Sequence, residues 1–215
     1  MFDTVSSKLQ GKALFLDTAW EGIQSELYML LRIAALASIA VLLRGATVPR
    51  FQLRDTQGTV HSPAEWDGQK AILLFFVTTD CPVANGYVPE MNRIRDAFAA
   101  RGVLVYAVQA DTTTADADVA RYAKDYRYSF PLLLDPRQVL VQLSGAAVTP
   151  EAVVLSPEGK VLYKGRIDNR VADFGKQRPQ ATERDLRDAL EAVLAGKPVL
   201  HPVTKSIGCA INRVK

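Results

Sequence analysis

The sequence predicts an α/β fold over residues 48–196: a central mixed sheet flanked by helices, preceded by a helical N-terminal extension. Three observations predict it. Two continuous apolar runs rich in β-formers, AILLFFVT and VLVYAVQA, read as strands covered on both faces, with an amphipathic helix between them. Two further β-rich runs flank SPEGK in EAVVLSPEGKVLYKGRID, so they form an antiparallel hairpin. ATERDLRDALEAVLAG, closing the region, shows helical periodicity at Leu186, Leu190, Val193 and Leu194.

The elements follow in order. FQLRDTQGTV alternates apolar and polar residues around Gln57-Gly58 and reads as a short leading hairpin, and PAEWDGQK as a loop or helical turn. After the first buried strand, Val83, Tyr87, Met91, Ile94 and Phe98 recur at helical spacing until Gly102. The second buried strand leads to a helix over 115–126, a strand in FPLLLD, and a short helix in RQVLVQLSG closed by Gly145. The last helix carries the capping-box pattern of Thr182 with Asp185 three positions on, and Gly196 and Pro198 end it. Residues 197–215 form an irregular tail that holds Cys209.

Composition narrows the function. Lys and Arg alternate with Asp and Glu, and the net charge of +3 gives no concentrated basic stripe, which argues against nucleic acid. Two cysteines and two separated histidines provide neither a disulfide scaffold nor metal-ligand spacing, so no metal or other cofactor is expected. Within the extension, 1–47, the run LYMLLRIAALASIAVLL starts at Leu27 and stops at Leu43, with Arg32 its only charge. Three readings fit it: a membrane anchor with Arg32 snorkelling, a signal peptide starting at Met29, or a helix lying on the domain. The anchor reading places the domain on the extracytoplasmic side, and a cytoplasmic placement is its alternative.

Chemistry concentrates at FFVTTDCPVANGYVPEM. Cys81 ends the first buried strand and opens a helix, where the helix terminus favours a thiolate. Pro82 suits the first helical turn, Thr78 offers a hydroxyl toward the sulfur, and the adjacent Asp80 opposes the anion. Cys209, beside Gly208 in SIGCAI, is a candidate resolving thiol carried on a mobile tail, or else a small hydrophobe pinning that tail. Other residues take ordinary roles: Arg166 and Arg170 in GRIDNR as a solvated edge, His61 and His201 as surface residues, Trp20 and Trp66 as packing residues.

Over residues 48–196 the chain resembles the thioredoxin superfamily, and within it the redoxin branch that includes the peroxiredoxin-like proteins (alkyl hydroperoxide reductase, thiol-specific antioxidant). Cys81 stands at the family's nucleophile, Pro89 at its helix-kinking proline, and Thr149-Pro150 at its cis-proline. The resemblance implies a thioredoxin-like fold, catalytic roles for Cys81, Thr78, Thr149 and Pro150, a peroxide or disulfide substrate, and an external thiol reductant. The departures are specific. Ala84 stands where a dithiol motif has its second cysteine, Asn85 where a copper-delivery relative has one, and Leu74 where a peroxiredoxin has its first motif proline. Thr149-Pro150 occupies the region of the peroxide-polarising arginine. The expected function is thiol-based redox chemistry at Cys81 with antioxidant or oxidoreductase activity. Two alternatives stand beside it: a thiol-disulfide oxidoreductase without peroxidase activity, and a non-catalytic binding module.

Overall fold

A computed structural model describes residues 50–214. The 27–43 segment and Trp20 lie outside the described residues, and among those described no helix is long and apolar enough to cross a membrane.

The leading hairpin pairs β1 (Leu53–Arg54) with β2 (Val60–His61), and Gly58 takes the left-handed conformation its turn requires. A 3-10 turn at Pro63–Trp66 follows. The central sheet then assembles from β3 (Ala71–Val77), β4 (Val103–Gln109), β5 (Leu132–Leu134), β7 (Glu151–Leu155) and β8 (Val161–Gly165), in the order β5-β4-β3-β7-β8. β3, β4 and β5 run parallel, β7 pairs antiparallel with β3, and β8 pairs antiparallel with β7, so the sheet is mixed. β3 lies at its centre and is buried along its whole length, which is why its sequence is uninterrupted apolar.

Helices α1 (Pro82–Phe98), α2 (Asp116–Asp125) and α4 (Asp185–Leu194) cover one face, packing Tyr87, Met91, Ile94, Val119 and Leu186 against Leu73, Phe75 and Val77. The other face is closed by α3 (Val139–Ser144), the leading hairpin and Trp66. Between β8 and α4 lies a hairpin the sequence did not announce, β9 (Val171–Asp173) with β10 (Lys176–Gln177).

Three local expectations change. The capping box does not form: α4 starts at Asp185, and Thr182 is held instead by Asn169, which receives the Thr182 N–H at Oδ1 (2.8 Å) and donates from Nδ2 to the Thr182 hydroxyl (2.8 Å). His61 is not a surface residue. It is 8% exposed and bridges Asp55 (3.2 Å) and Glu65 (2.9 Å), while the Tyr106 hydroxyl donates to Glu65. The tail is not irregular either. Thr204 N donates to Lys164 O (3.0 Å), β11 (Cys209–Ala210) pairs antiparallel with β6 (Val148–Thr149), and Ile211 N donates to Ala147 O (2.9 Å). Ile211 is buried in the second face, whereas Cys209 packs against the first, so the tail turns around the end of the sheet.

Candidate active site

β3 ends at Val77, and the next turn delivers Cys81 as the N-cap of α1, with Pro82 at the first helical position. Pro89 lies inside this helix. Cys81 is completely buried. Its backbone N–H donates to Thr78 O (3.3 Å), and its thiol donates to Thr149 O (3.0 Å). The Thr149-Pro150 bond is cis, as the resemblance implies. The Thr78 hydroxyl meets the Thr149 hydroxyl at 3.2 Å, so it reaches the sulfur's surroundings through Thr149 rather than directly.

The second cysteine completes the constellation. The register sets Cys209 opposite Thr149, the residue whose carbonyl accepts the Cys81 thiol, so the two cysteines meet at the β6 strand. Gly208 makes the approach possible. A Cβ there would lie 1.9 Å from Thr149 O, so any side chain would push β11 off β6. Its role is close packing, where the sequence suggested flexibility. Both cysteines are free thiols.

Their electrostatics diverge. Burial pushes the Cys81 thiol up, but the Cys209 thiol, the Ala84 N–H, the Thr149 hydroxyl and the Cys209 N–H outweigh it and bring Cys81 below its ordinary value. The Thr149 carbonyl works the other way, since it accepts only from the protonated thiol. Cys209 is pushed up to about 12 by burial, by the neighbouring Cys81 and its charge, and by Asp80. Asp80, expected to oppose the Cys81 anion, therefore acts on Cys209. Of the two thiols, Cys81 is the more readily deprotonated.

The AhpC/TSA family matches residues 44–164, more than half of the chain, from before β1 into β8. The chain belongs to the AhpC/TSA family. Thiol-disulfide oxidoreductase ResA of Bacillus thuringiensis is 27% identical over 120 residues, covering 56% of this chain and 68% of that protein. A hypothetical protein of Sinorhizobium meliloti superposes with a TM-score of 0.67 at 29% identity, covering 79% of this chain and 94% of its own. The exposed lipoprotein thioredoxin Etrx1 of Streptococcus pneumoniae shares the fold alone, at 20% identity and a TM-score of 0.52, covering 68% of this chain and 98% of its own. This AhpC/TSA member is a thiol-dependent oxidoreductase of thioredoxin-like fold.

Within it, Cys81, Thr78, Thr149, Pro150 and Cys209 converge on one end of the sheet. The arginines of GRIDNR are engaged elsewhere. Arg166 pairs with Asp185 (2.7 Å) and Glu183, while Arg170 lies 4.5 Å over the Tyr87 ring and donates to Gly86 O (2.9 Å). His201 is exposed, Trp66 is a core residue, and among the described residues no cluster has the makings of a metal site. The sequence reading missed Thr204, bonded through its hydroxyl to Tyr163 (2.7 Å) and Arg166 N (3.1 Å), and misjudged the role of Gly208. The small and hydroxyl residues crowded before Cys209 in TKSIGC were the available signal.

Proposed function

We propose that this AhpC/TSA member catalyses thiol-disulfide exchange through a Cys81–Cys209 couple, with Thr78, Thr149 and Pro150 shaping the sulfur site. The single observation that carries the reading is the Cys209 thiol set against Cys81 at the α1 N-terminus. A substrate disulfide RS–SR takes two electrons: one RS group forms a mixed disulfide with the protein as the first RS⁻ leaves. The second cysteine then attacks the protein sulfur of that mixed disulfide, expelling the second RS⁻ and closing Cys81–Cys209. An external thiol reductant reopens the pair. Ala84 does not prevent this, because the second thiol arrives from the tail instead of from the helix.

The relatives named thiol-disulfide oxidoreductase support this substrate class. Peroxide is the alternative oxidant, giving antioxidant activity of the peroxiredoxin type. The family match supports it; Leu74 and the engagement of Arg166 and Arg170 weigh against it. The test is mild oxidation of the full chain with diamide, then peptide mapping under non-reducing conditions. A Cys81–Cys209 disulfide that restores two free thiols on reduction is expected, and its absence overturns the reading. A persistent sulfenic acid on Cys81 after one equivalent of peroxide, without that disulfide, favours the peroxide alternative.

We further propose that the run from Leu27 to Leu43 attaches the protein to a membrane and places the domain on the extracytoplasmic side. Its support is the near-continuous apolar character of that run. Sodium carbonate washing of membranes from expressing cells should leave the full chain in the pellet and release a chain starting at Ala46. Release of both removes the attachment.

A further inference from the structure

We propose that Cys209, and not Cys81, is the sulfur through which external thiols and disulfides are exchanged, with Cys81 the internal partner that opens and closes the pair. The inference rests on the exchange reading above and inverts the roles that helix position alone would assign.

Accessibility argues it first. Cys81 is fully buried below the Thr149 carbonyl, with the tail across it. That tail is fastened on both sides of the crossing. On one side the Thr204 hydroxyl meets Tyr163 and Arg166, and Lys164 exchanges backbone bonds with Pro202 and Thr204. On the other, Ile211 is buried, Gln138 Nε2 donates to Asn212 O (2.7 Å), and Val214 N donates to Gln138 Oε1 (3.0 Å). An external sulfur reaches Cys81 only if this span lifts. Cys209 needs no such movement, because part of its surface already faces solvent.

The chemistry of displacement points the same way. When an external thiolate RS⁻ attacks the Cys209 sulfur of the intramolecular disulfide, an RS–Cys209 bond forms, the Cys209–Cys81 bond breaks and Cys81 departs as thiolate. The donors that favour the Cys81 anion therefore assist its departure, and a leaving thiol of lower pKa leaves faster. A second RS⁻ then attacks the bound RS sulfur, releasing RS–SR and the Cys209 thiolate, which takes a proton. In the reverse direction Cys209 gives its proton to solvent and attacks a substrate disulfide, the first RS⁻ leaves, and Cys81 then attacks the Cys209 sulfur and expels the second RS⁻. Asp80, whose charge is felt at Cys209, disfavours anionic partners and favours cationic ones.

The test uses full-length Cys81→Ser and Cys209→Ser, each with one thiol, and cystamine, a cationic disulfide. Intact-mass analysis over time should show the cysteamine adduct forming at least about tenfold faster on Cys81→Ser than on Cys209→Ser, as expected when one sulfur is accessible and the other is enclosed. Equal rates, a faster Cys209→Ser, or no adduct on either variant overturns the inference. A second measurement keeps the native pair: the diamide-oxidised protein is mixed with cysteamine, acid-quenched, alkylated and mapped. Cysteamine on Cys209 with alkylated Cys81 is expected, and the reverse pattern overturns the inference while leaving the exchange reading intact. If diamide never forms the Cys81–Cys209 disulfide, the exchange reading itself has failed.

Discussion

His61 illustrates how much one side chain can hold. Its two ring nitrogens bridge Asp55 and Glu65 in a nearly buried site, and Glu65 also accepts from Tyr106 on the central sheet. Burial disfavours the imidazolium, but the hydrogen bonds and charges of Glu65 and Asp55 outweigh it and raise His61 above 6.5. A group raised on folding stabilises fully below its unfolded value and loses that contribution as pH rises through its folded value. His61→Gln should therefore cost about 1–3 kcal/mol near pH 6 and much less near pH 9, in denaturant unfolding at both pH values. An equal cost at the two pH values overturns the charged bridge. No periodicity announced this site, because its members come from a hairpin, a 3-10 turn and β4, and only the folded chain brings them together.

At the scale of elements, β11 is two residues long yet sets the geometry of both cysteines. So short a strand is held by its surroundings: the buried Ile211 beyond it and the contact of Gly208 with Thr149 before it. Gly208→Ala should displace β11 from β6 and slow closure of the Cys81–Cys209 disulfide by on the order of 10- to 100-fold, since misplacement by an ångström costs that much in an oriented reaction. Quenched alkylation after rapid oxidation measures it, and an unchanged rate would show that β11 does not position Cys209. The long elements were readable beforehand for a simple reason. α1 and β3 each contain enough turns or residues to display their own period, and both faces of β3 are covered, so its apolar run is unbroken. β11 shows no period over two residues, and its partner β6 lies about sixty positions earlier, so its pairing is a tertiary event.

Across the whole molecule, sequence reading recovered the mixed sheet, its helices and the place of Cys81, because strand and helix alternate in chain order and the turn chemistry between them is local. It left open whether Cys209 was a partner or a filler, since nothing within the tail encodes what the tail lies against. The wrap of that tail around the end of the sheet carries a thermodynamic consequence. A disulfide within a dithiol motif encloses four residues and hardly restricts the unfolded chain. Cys81–Cys209 would enclose a ring of about 130 residues, and cross-linking a ring that size raises stability by about 4–5 kcal/mol in the chain-entropy account. Each turnover would then also tighten and relax the topology of nearly the whole domain. By thermodynamic reciprocity, the folded state would hold its disulfide more firmly than the unfolded chain does, by the same free energy that the cross-link adds to the fold.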